Sequence, residues 1–322
     1  MAPPRDLLSP RLLPATLAML RRVGQSVAAC GQKAWLVGGP VRDALLGRPV
    51  LDLDVVVEGN ALELARTIVE ELPEGEAPAT QDEARAARES LALFPEFLTA
   101  RLDLPGGLHL DLITARSETY EHPGALPTVK PADLDADLRR RDFTVNAMAA
   151  SLMPEDFGRL FDPLDGYAAL RFGVLKALHD QSFRDDPTRV VRAATYSERL
   201  ASRLEKKTQR WLAAAIAEGA LEWVAPQRHG EQLRRALLTD AGGRILLRLA
   251  EWGCEEALGL PRGLWRPAAV TEPRWGRKRL GLTAADLAQA TFALAAGPSG
   301  PQAGESLALG REYGQAAEKL VG

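Results

Sequence analysis

Two aspartates, Asp52 and Asp54, lie two residues apart in the apolar run Leu51-Asp-Leu-Asp-Val-Val-Val57. On a strand, residues i and i+2 point to one face, so both carboxylates project side by side while Leu51, Leu53 and Val55 face the other way. Like charges that close raise a pKa unless a cation sits between them. A hard divalent ion, typically Mg²⁺ with nucleotide phosphates, relieves that cost. Just upstream, Leu36-Val-Gly-Gly-Pro-Val-Arg-Asp43 places Gly38 and Gly39 before a short helix. Glycines let backbone N–H groups approach an anion, and a helix start adds its positive dipole end. Phosphate held by one segment and metal by the other would suit nucleotidyl transfer. Each half is also compatible with a plain turn and with an edge strand blunted by charge.

A second constellation, Asp137-Leu-Arg-Arg-Arg-Asp-Phe-Thr-Val-Asn-Ala-Met148, packs three arginines against acids. Guanidinium forks suit phosphate oxygens, an aspartate can accept from a ribose hydroxyl, and Asn146 can fix a turn. A solvated basic face paired with Asp137 and Asp142 is the alternative. In the third, Asp185-Asp-Pro-Thr-Arg-Val-Val-Arg192, Asp186 before Pro187 is a helix-start signature. Arg189 and Arg192 follow on one helical face. A carboxylate and a guanidinium held together could read a nucleobase edge, because a wrong base would leave them unpaired.

These side chains need elements to position them. Leu12 to Cys30 reads as an amphipathic helix, Lys33 to Val37 as a strand, and Pro40 to Leu46 as a short helix ended by Gly47. Asn60 with Glu63 marks the N-cap of a helix over 61–72. Residues 97–104 and 108–113 alternate around Pro105-Gly-Gly107 and predict a hairpin. Its second arm carries Asp111, a candidate third acid beside Asp52 and Asp54. The acidic segment 74–88 lacks a clear apolar face. From about residue 187 the spacing turns helical, over 187–200, 208–217, 226–238 and 241–251, with no further strand signal. The Gly/Pro/Ala-rich stretch 295–304 is expected to be mobile. The expected class is α+β: a small head with a mixed or antiparallel sheet over residues 1–152, a base-reading neck over 153–205 and a helical body over 206–322.

The 322 residues exceed one usual hydrophobic core. Hydrophobic residues at 46% and charged residues at 26% are ordinary for a soluble protein. The 2 cysteines and 4 histidines show no metal-ligand spacing, which argues against a zinc site. Widely spaced thiols, no bilayer-length apolar run and no signal-peptide core at Met1-Ala-Pro-Pro-Arg lead us to expect a cytoplasmic protein with no membrane partner. A net charge of −3 means that any nucleic-acid contact must come from local basic patches.

The motifs, in this order, resemble those of class II tRNA nucleotidyltransferases and the related bacterial poly(A) polymerases, whose heads belong to the DNA polymerase β superfamily. The resemblance covers roughly residues 33 to 240. Gly38-Gly-Pro-Val-Arg-Asp43 with Asp52-Leu-Asp54 is similar to the metal and triphosphate motif. Arg140-Arg-Asp-Phe-Thr-Val-Asn-Ala147 is similar to the ribose-selecting motif, Asp162-Pro-Leu-Asp-Gly166 to the head–neck link, and Asp185-Asp-Pro-Thr-Arg189 to the base-reading motif. The resemblance implies that Asp52 and Asp54 ligate Mg²⁺ in a two-metal site, with Asp111 as a further catalytic acid. It implies phosphate contacts from Arg42, Arg141 and Arg192, a ribose contact from Asp142, and base pairing by Asp186 and Arg189. Gly38, Gly39, Asp43, Asn146 and Asp185 fall within the same nucleotide-binding motifs. The implied reaction is template-independent addition of nucleotides to the tRNA 3′ end from CTP and ATP, with helices gripping the acceptor stem. Asp185 stands where the family usually has Glu. The segment 116–129, matching a loop that helps the family switch from C to A, is short and proline-stiffened. We therefore expect a CC-adding enzyme, with a separate A-adding enzyme acting next. Full CCA addition, A addition and poly(A) synthesis follow in that order, and a non-catalytic RNA-binding module is the reading from another class.

Overall fold

A computed structural model describes residues 6–50, 52–70, 89–104, 108–237, 239 and 241–258. The acidic segment 74–88, the turn at 105–107 and the stretch 295–304 lie outside the described residues. The chain divides into two compact units, Met1–Thr119 with Pro127–Arg171, and Tyr120–Leu126 with Phe172–Gly322. Residues 153–171, expected in the neck, belong to the first unit.

The first unit is built on a seven-stranded sheet in the order β3-β4-β5-β2-β1-β8-β9. Its strands are β1 (Lys33–Val37), β2 (Asp52–Glu58), β3 (Ala92–Phe94), β4 (Thr99–Leu104), β5 (Leu108–Thr114), β8 (Ala149–Ser151) and β9 (Leu160–Phe161). The β2–β5 pair is parallel and the β4–β5 pair antiparallel, so the sheet is mixed, and the expected hairpin is present. Alternation decides what each face does. Leu53, Val55 and Val57 of β2, Ala100 and Leu102 of β4, and Leu110 and Leu112 of β5 are buried. They share a core with Leu20, Val23 and Val27 of helix α1 (Pro14–Ala29) and Leu64, Ala65 and Ile68 of helix α3 (Ala61–Glu70). Each of the Leu, Val and Ile side chains among them contributes about 1.5–3 kcal/mol on burial. One sheet face is thereby committed to helices, and the polar residues between these positions fall on the other.

Local signals in the sequence set the helix starts. The Asn60 side chain accepts from the N–H groups of Leu62 and Glu63, as the capping pattern predicts. Asp162 accepts from the N–H groups of Gly166 and Tyr167, so the link motif caps the helix Gly166–Arg171. A small β6–β7 hairpin (Arg116–Thr119 with Thr128–Pro131) completes the first unit.

Among its described residues the second unit is mainly helical. Its helices Arg189–Arg199, Lys206–Ala217, Pro226–Leu237 and Gly242–Glu251 follow the predicted spans within a few residues. The expectation of no strand beyond 187 needs one correction. Arg203–Leu204 forms a two-residue parallel ladder with Val174–Leu175, too short to leave an alternating pattern. Among the described residues no helix is long and apolar enough to cross a membrane. Cys254 is buried and its thiol is pushed up to about 12 by that burial, the profile of an inert structural cysteine.

Candidate active site

In the first unit the sheet face away from the helices carries the predicted carboxylates. Asp52 is exposed and Asp54 partly buried, while Leu53 between them is in the core. In the parallel β2–β5 register Asp54 is the direct neighbour of Asp111, and Asp52 of His109. Burial pushes the Asp54 carboxyl above the ordinary aspartate range. The Arg141 guanidinium opposes that shift, and the negative charges of Asp111 and Asp52 add to it. Two acids on one face, one of them poorly compensated, are a donor set suited to Mg²⁺, which takes one or two carboxylates and completes its shell with water and phosphate oxygens. Among the described residues no cluster of three or more His, Cys, Asp or Glu side chains could hold a metal ion. The expected third acid is adjacent but engaged elsewhere. Arg101, opposite Asp111 in the β4–β5 register, donates Nε to Oδ1 and Nη2 to Oδ2, both at 2.7 Å.

Beside this row lies the glycine turn. Gly38 has φ +72°, and a Cβ built there would sit 2.6 Å from Nη1 of Arg141. The turn therefore needs glycine for its conformation and for the guanidinium beside it. Helix α2 (Gly39–Leu45) follows. Its Arg42 is buried and donates to both oxygens of Asp43 and, at 2.5 Å, to Oδ1 of Asn146. The amide of Asn146 in turn donates to Oδ1 of Asp142, which also accepts from the Phe143 N–H. A guanidinium on one side and a carboxylate on the other fix the orientation of this amide. Arg42, Asp43, Asp142 and Asn146 thus form one connected network, although their motifs are a hundred residues apart. Arg42, expected to hold phosphate, here commits its side-chain N–H groups to protein acceptors.

Arg141 is placed by a residue the sequence had offered only as a charge partner. Asp137 is fully buried and bridges Arg140 at 2.7 Å and Arg141 at 2.9 Å. Burial by itself would raise the Asp137 pKa, but the charges of Arg141 and Arg140 outweigh it and hold the carboxyl below its ordinary range. All three sit on or just after the helix Leu134–Arg139, where arginines also suit the negative dipole end. Arg101 and Asp137 are functional candidates that the motifs did not single out. The i, i+3 and i, i+4 spacing of Asp137 to Arg140 and Arg141 was the available signal for the second, and none existed for the first.

The second unit carries the other predicted group. Asp186 Oδ1 accepts from the N–H and the hydroxyl of Thr188 and, at 3.1 Å, from Nη2 of Arg228. The expected N-cap is corrected: Asp186 closes only the turn of Pro187 and Thr188, and the helix begins at Arg189 after Thr188, which makes no side-chain cap hydrogen bond. Arg189 is buried and donates to the Ser182 hydroxyl at 2.7 Å. Asp185 lies 3.9 Å from the His179 ring, and burial raises its pKa above the ordinary value. Arg192 stacks over Tyr196, 5.3 Å from the ring centre. Arg228 also donates to the carbonyl of Gly124, whose N–H donates to Arg184 O. The segment 120–126 is therefore fastened within this unit, beside the carboxylate expected to read a base. Ser182, His179 and Arg228 carry no motif signal, because their partners are set by helix packing.

Comparison with known proteins bears on the family of the chain. Residues 34–176 match the family model described as the poly A polymerase head domain. The A-adding tRNA nucleotidyltransferase of Aquifex aeolicus is 43% identical over 214 residues, which is 66% of this chain and 24% of that protein. The CC-adding tRNA nucleotidyltransferase of Deinococcus radiodurans is 37% identical over 227 residues, 70% of this chain and 56% of that protein. The chain thus spans between about a quarter and just over half of the curated relatives it matches. The solved Thermotoga maritima CCA-adding enzyme, in complex with tRNA, superposes with a TM-score of 0.74 at 32% identity, covering 97% of this chain and 71% of that one. With its head matched, its motif residues gathered into two connected networks and its fold shared over most of a solved relative, the chain belongs to the tRNA nucleotidyltransferase/poly(A) polymerase family.

Proposed function

We propose that this protein adds nucleotides to the 3′ end of tRNA without a template. The observation that carries the reading is the polar face of β2, where Asp52 and Asp54 project together beside Asp111, with Arg141 compensating Asp54. The 3′-hydroxyl oxygen of the tRNA attacks the α-phosphorus of a nucleoside triphosphate. One P–O bond forms, the bond to the β-phosphate bridge breaks, and pyrophosphate leaves. Mg²⁺ held by Asp52 and Asp54 in a two-metal arrangement would polarise the phosphate and ease loss of the hydroxyl proton. Arg141, aimed by Asp137, faces the charge that develops on the phosphate. The buried Arg42–Asn146–Asp142 network holds the turn and offers the ribose a fixed carboxylate. Asp186 and Arg189, held by Arg228 and Ser182, present one acceptor and fixed donors to the incoming base.

Within that reaction the short, fastened segment 120–126 supports a CC-adding enzyme, followed in the tail by a separate A-adding enzyme in the cytoplasm. A addition is the second reading, favoured by the 43% identity to a protein named for it. Incorporation of labelled CTP and ATP into three transcripts separates them: tRNA lacking the tail, tRNA ending in C and tRNA ending in CC. Two C residues and no A are expected. A on the CC transcript alone would establish the second reading. Absence of incorporation by folded protein with Mg²⁺ would overturn both.

A further inference from the structure

Strand β2 carries a further carboxylate at its far end. Glu58 follows Asp54 by an even number of residues, so alternation puts both on one face of the sheet, with the buried Val56 between them. The helix Leu134–Arg139 packs against this strand, and its Leu134 and Leu138 are buried. The Leu134 N–H, one of the donors that a helix start cannot satisfy within itself, donates to Oε1 of Glu58 at 2.9 Å. A carboxylate there also meets the positive end of the helix dipole. At the other end of the helix stands Asp137, and just beyond it Arg141 donates Nη2 to Asp137 Oδ2 at 2.9 Å. The lengths agree. Asp54 and Glu58 are separated by about 13 Å of strand, and Leu134 to Arg141 span about 10 Å of helical rise. A helix pinned at Glu58 thus brings Arg141 back to Asp54. Electrostatics supports that placement: burial lifts the Asp54 carboxyl, and Arg141 is the largest charge opposing the shift.

We infer that Glu58 is a positioning residue: by holding the Leu134 N–H it sets how far this helix lies along β2 and, through Asp137, where the Arg141 guanidinium stands against Asp54. The inference rests on the reading of Arg141 as the group that faces the transferred phosphate. Asp52, Asp54 and Glu58 belong to one strand, so the metal acids and the phosphate arginine are placed from a single element. A helix of fewer than two turns, packed on that strand, moves as a body. Slippage at Glu58 therefore carries the guanidinium with it, and a displacement of about 1 Å in a reacting geometry can cost about 100-fold in rate.

The test is single-turnover incorporation by the full chain, with Mg²⁺, of whichever labelled triphosphate the native protein adds to tRNA. Glu58→Ala is expected to lower the maximal rate about tenfold or more, with the half-saturating triphosphate concentration within about threefold of native, because the arginine acts on charge that develops in the transition state. Glu58→Gln keeps an acceptor of the same length and is expected to retain at least about half the native rate. Glu58→Ala combined with Arg141→Gln is expected to lie within about threefold of Arg141→Gln alone, since the glutamate acts through the arginine. A near-native rate for Glu58→Ala beside a slow Arg141→Gln would overturn the inference and leave the reading of Arg141 standing. Losses that multiply in the double variant would overturn it by showing that Glu58 acts elsewhere. A Gln variant as slow as the Ala variant would overturn it by showing that the hydrogen bond is not what matters. If Arg141→Gln itself reacts at the native rate, the reading of Arg141 has failed and the inference falls with it. Circular dichroism melts fix an assay temperature at which every variant is folded.

Discussion

At the scale of single residues, two acids are shifted in opposite directions, Asp54 upward by burial and Asp137 downward by arginines that outweigh its burial. Asp54 is pushed above the ordinary aspartate value of 3.8, first by burial and then by Asp111 and Asp52. A group whose folded pKa exceeds its unfolded one costs stability once it ionises, so stability falls as pH rises through that interval. Metal-free Asp54→Asn should therefore melt above the native protein at pH 8, with the gap closing as pH falls to the ordinary value, while nucleotide incorporation drops about 10³-fold or more. Scanning calorimetry and a transcript assay on the same samples check both halves. Asp137 behaves conversely. Its carboxyl is held down by Arg141 and Arg140, so it stabilises the fold above the ordinary carboxylate range and loses that contribution as pH falls through its lowered value. Asp137→Asn leaves Arg141 without its buried ion-pair partner, while Arg140 keeps Glu118 at 2.7 Å, and should cost about 3–5 kcal/mol in denaturant titration at pH 7. The identity and spacing of Asp52 and Asp54 were enough to place them on one face. The burial of Asp137 was not legible, because a charge cluster reads the same whether solvated or enclosed.

At the scale of elements, the hairpin tip 120–126 shows what local sequence can and cannot say. Its Pro-Gly dipeptide predicts a turn, and Gly124 indeed has φ +76°. Its partners come from helices distant in sequence: Arg184 O accepts from it, Arg228 donates to it, and a Cβ at Gly124 would lie 2.9 Å from Trp223 O. Gly124→Ala should therefore strain the turn by about 1–3 kcal/mol and loosen the segment. Faster amide exchange confined to residues 120–126, with the sheet unaffected, is the expected result. Helix spans were legible to within a few residues because caps such as Asn60 and Asp162 are local hydrogen-bond arrangements. The helix after Asp186 begins two residues later than the Pro187 signal suggested, because Asp186 bonds Thr188 and so closes a tight turn first.

At the scale of the whole molecule, a net charge of −3 means that the proposed RNA contact must come from local patches. Arg203 on the short strand and Lys206, Lys207 and Arg210 at the start of the helix that follows are all exposed in the second unit. If they contact tRNA phosphates, Lys206→Ala and Lys207→Ala should each lower the slope of log affinity against log salt by about one, without changing which nucleotide is added. Filter binding from low to high salt checks this. The first unit runs to Arg171, where the link motif caps a helix that packs with the head, a tertiary fact. The sequence by itself determined the mixed α/β head, the helices between 189 and 251, the acidic face of β2 and the family motifs. Periodicity, caps and glycine turns act within a few residues of chain, so they survive being read as a string. Only the tertiary structure decided that Arg101 takes Asp111, that Asn146 joins Arg42 to Asp142, and that Arg228 joins Asp186 to the hairpin tip. Those pairings follow from strand register and helix packing, which bring together side chains that no local pattern relates.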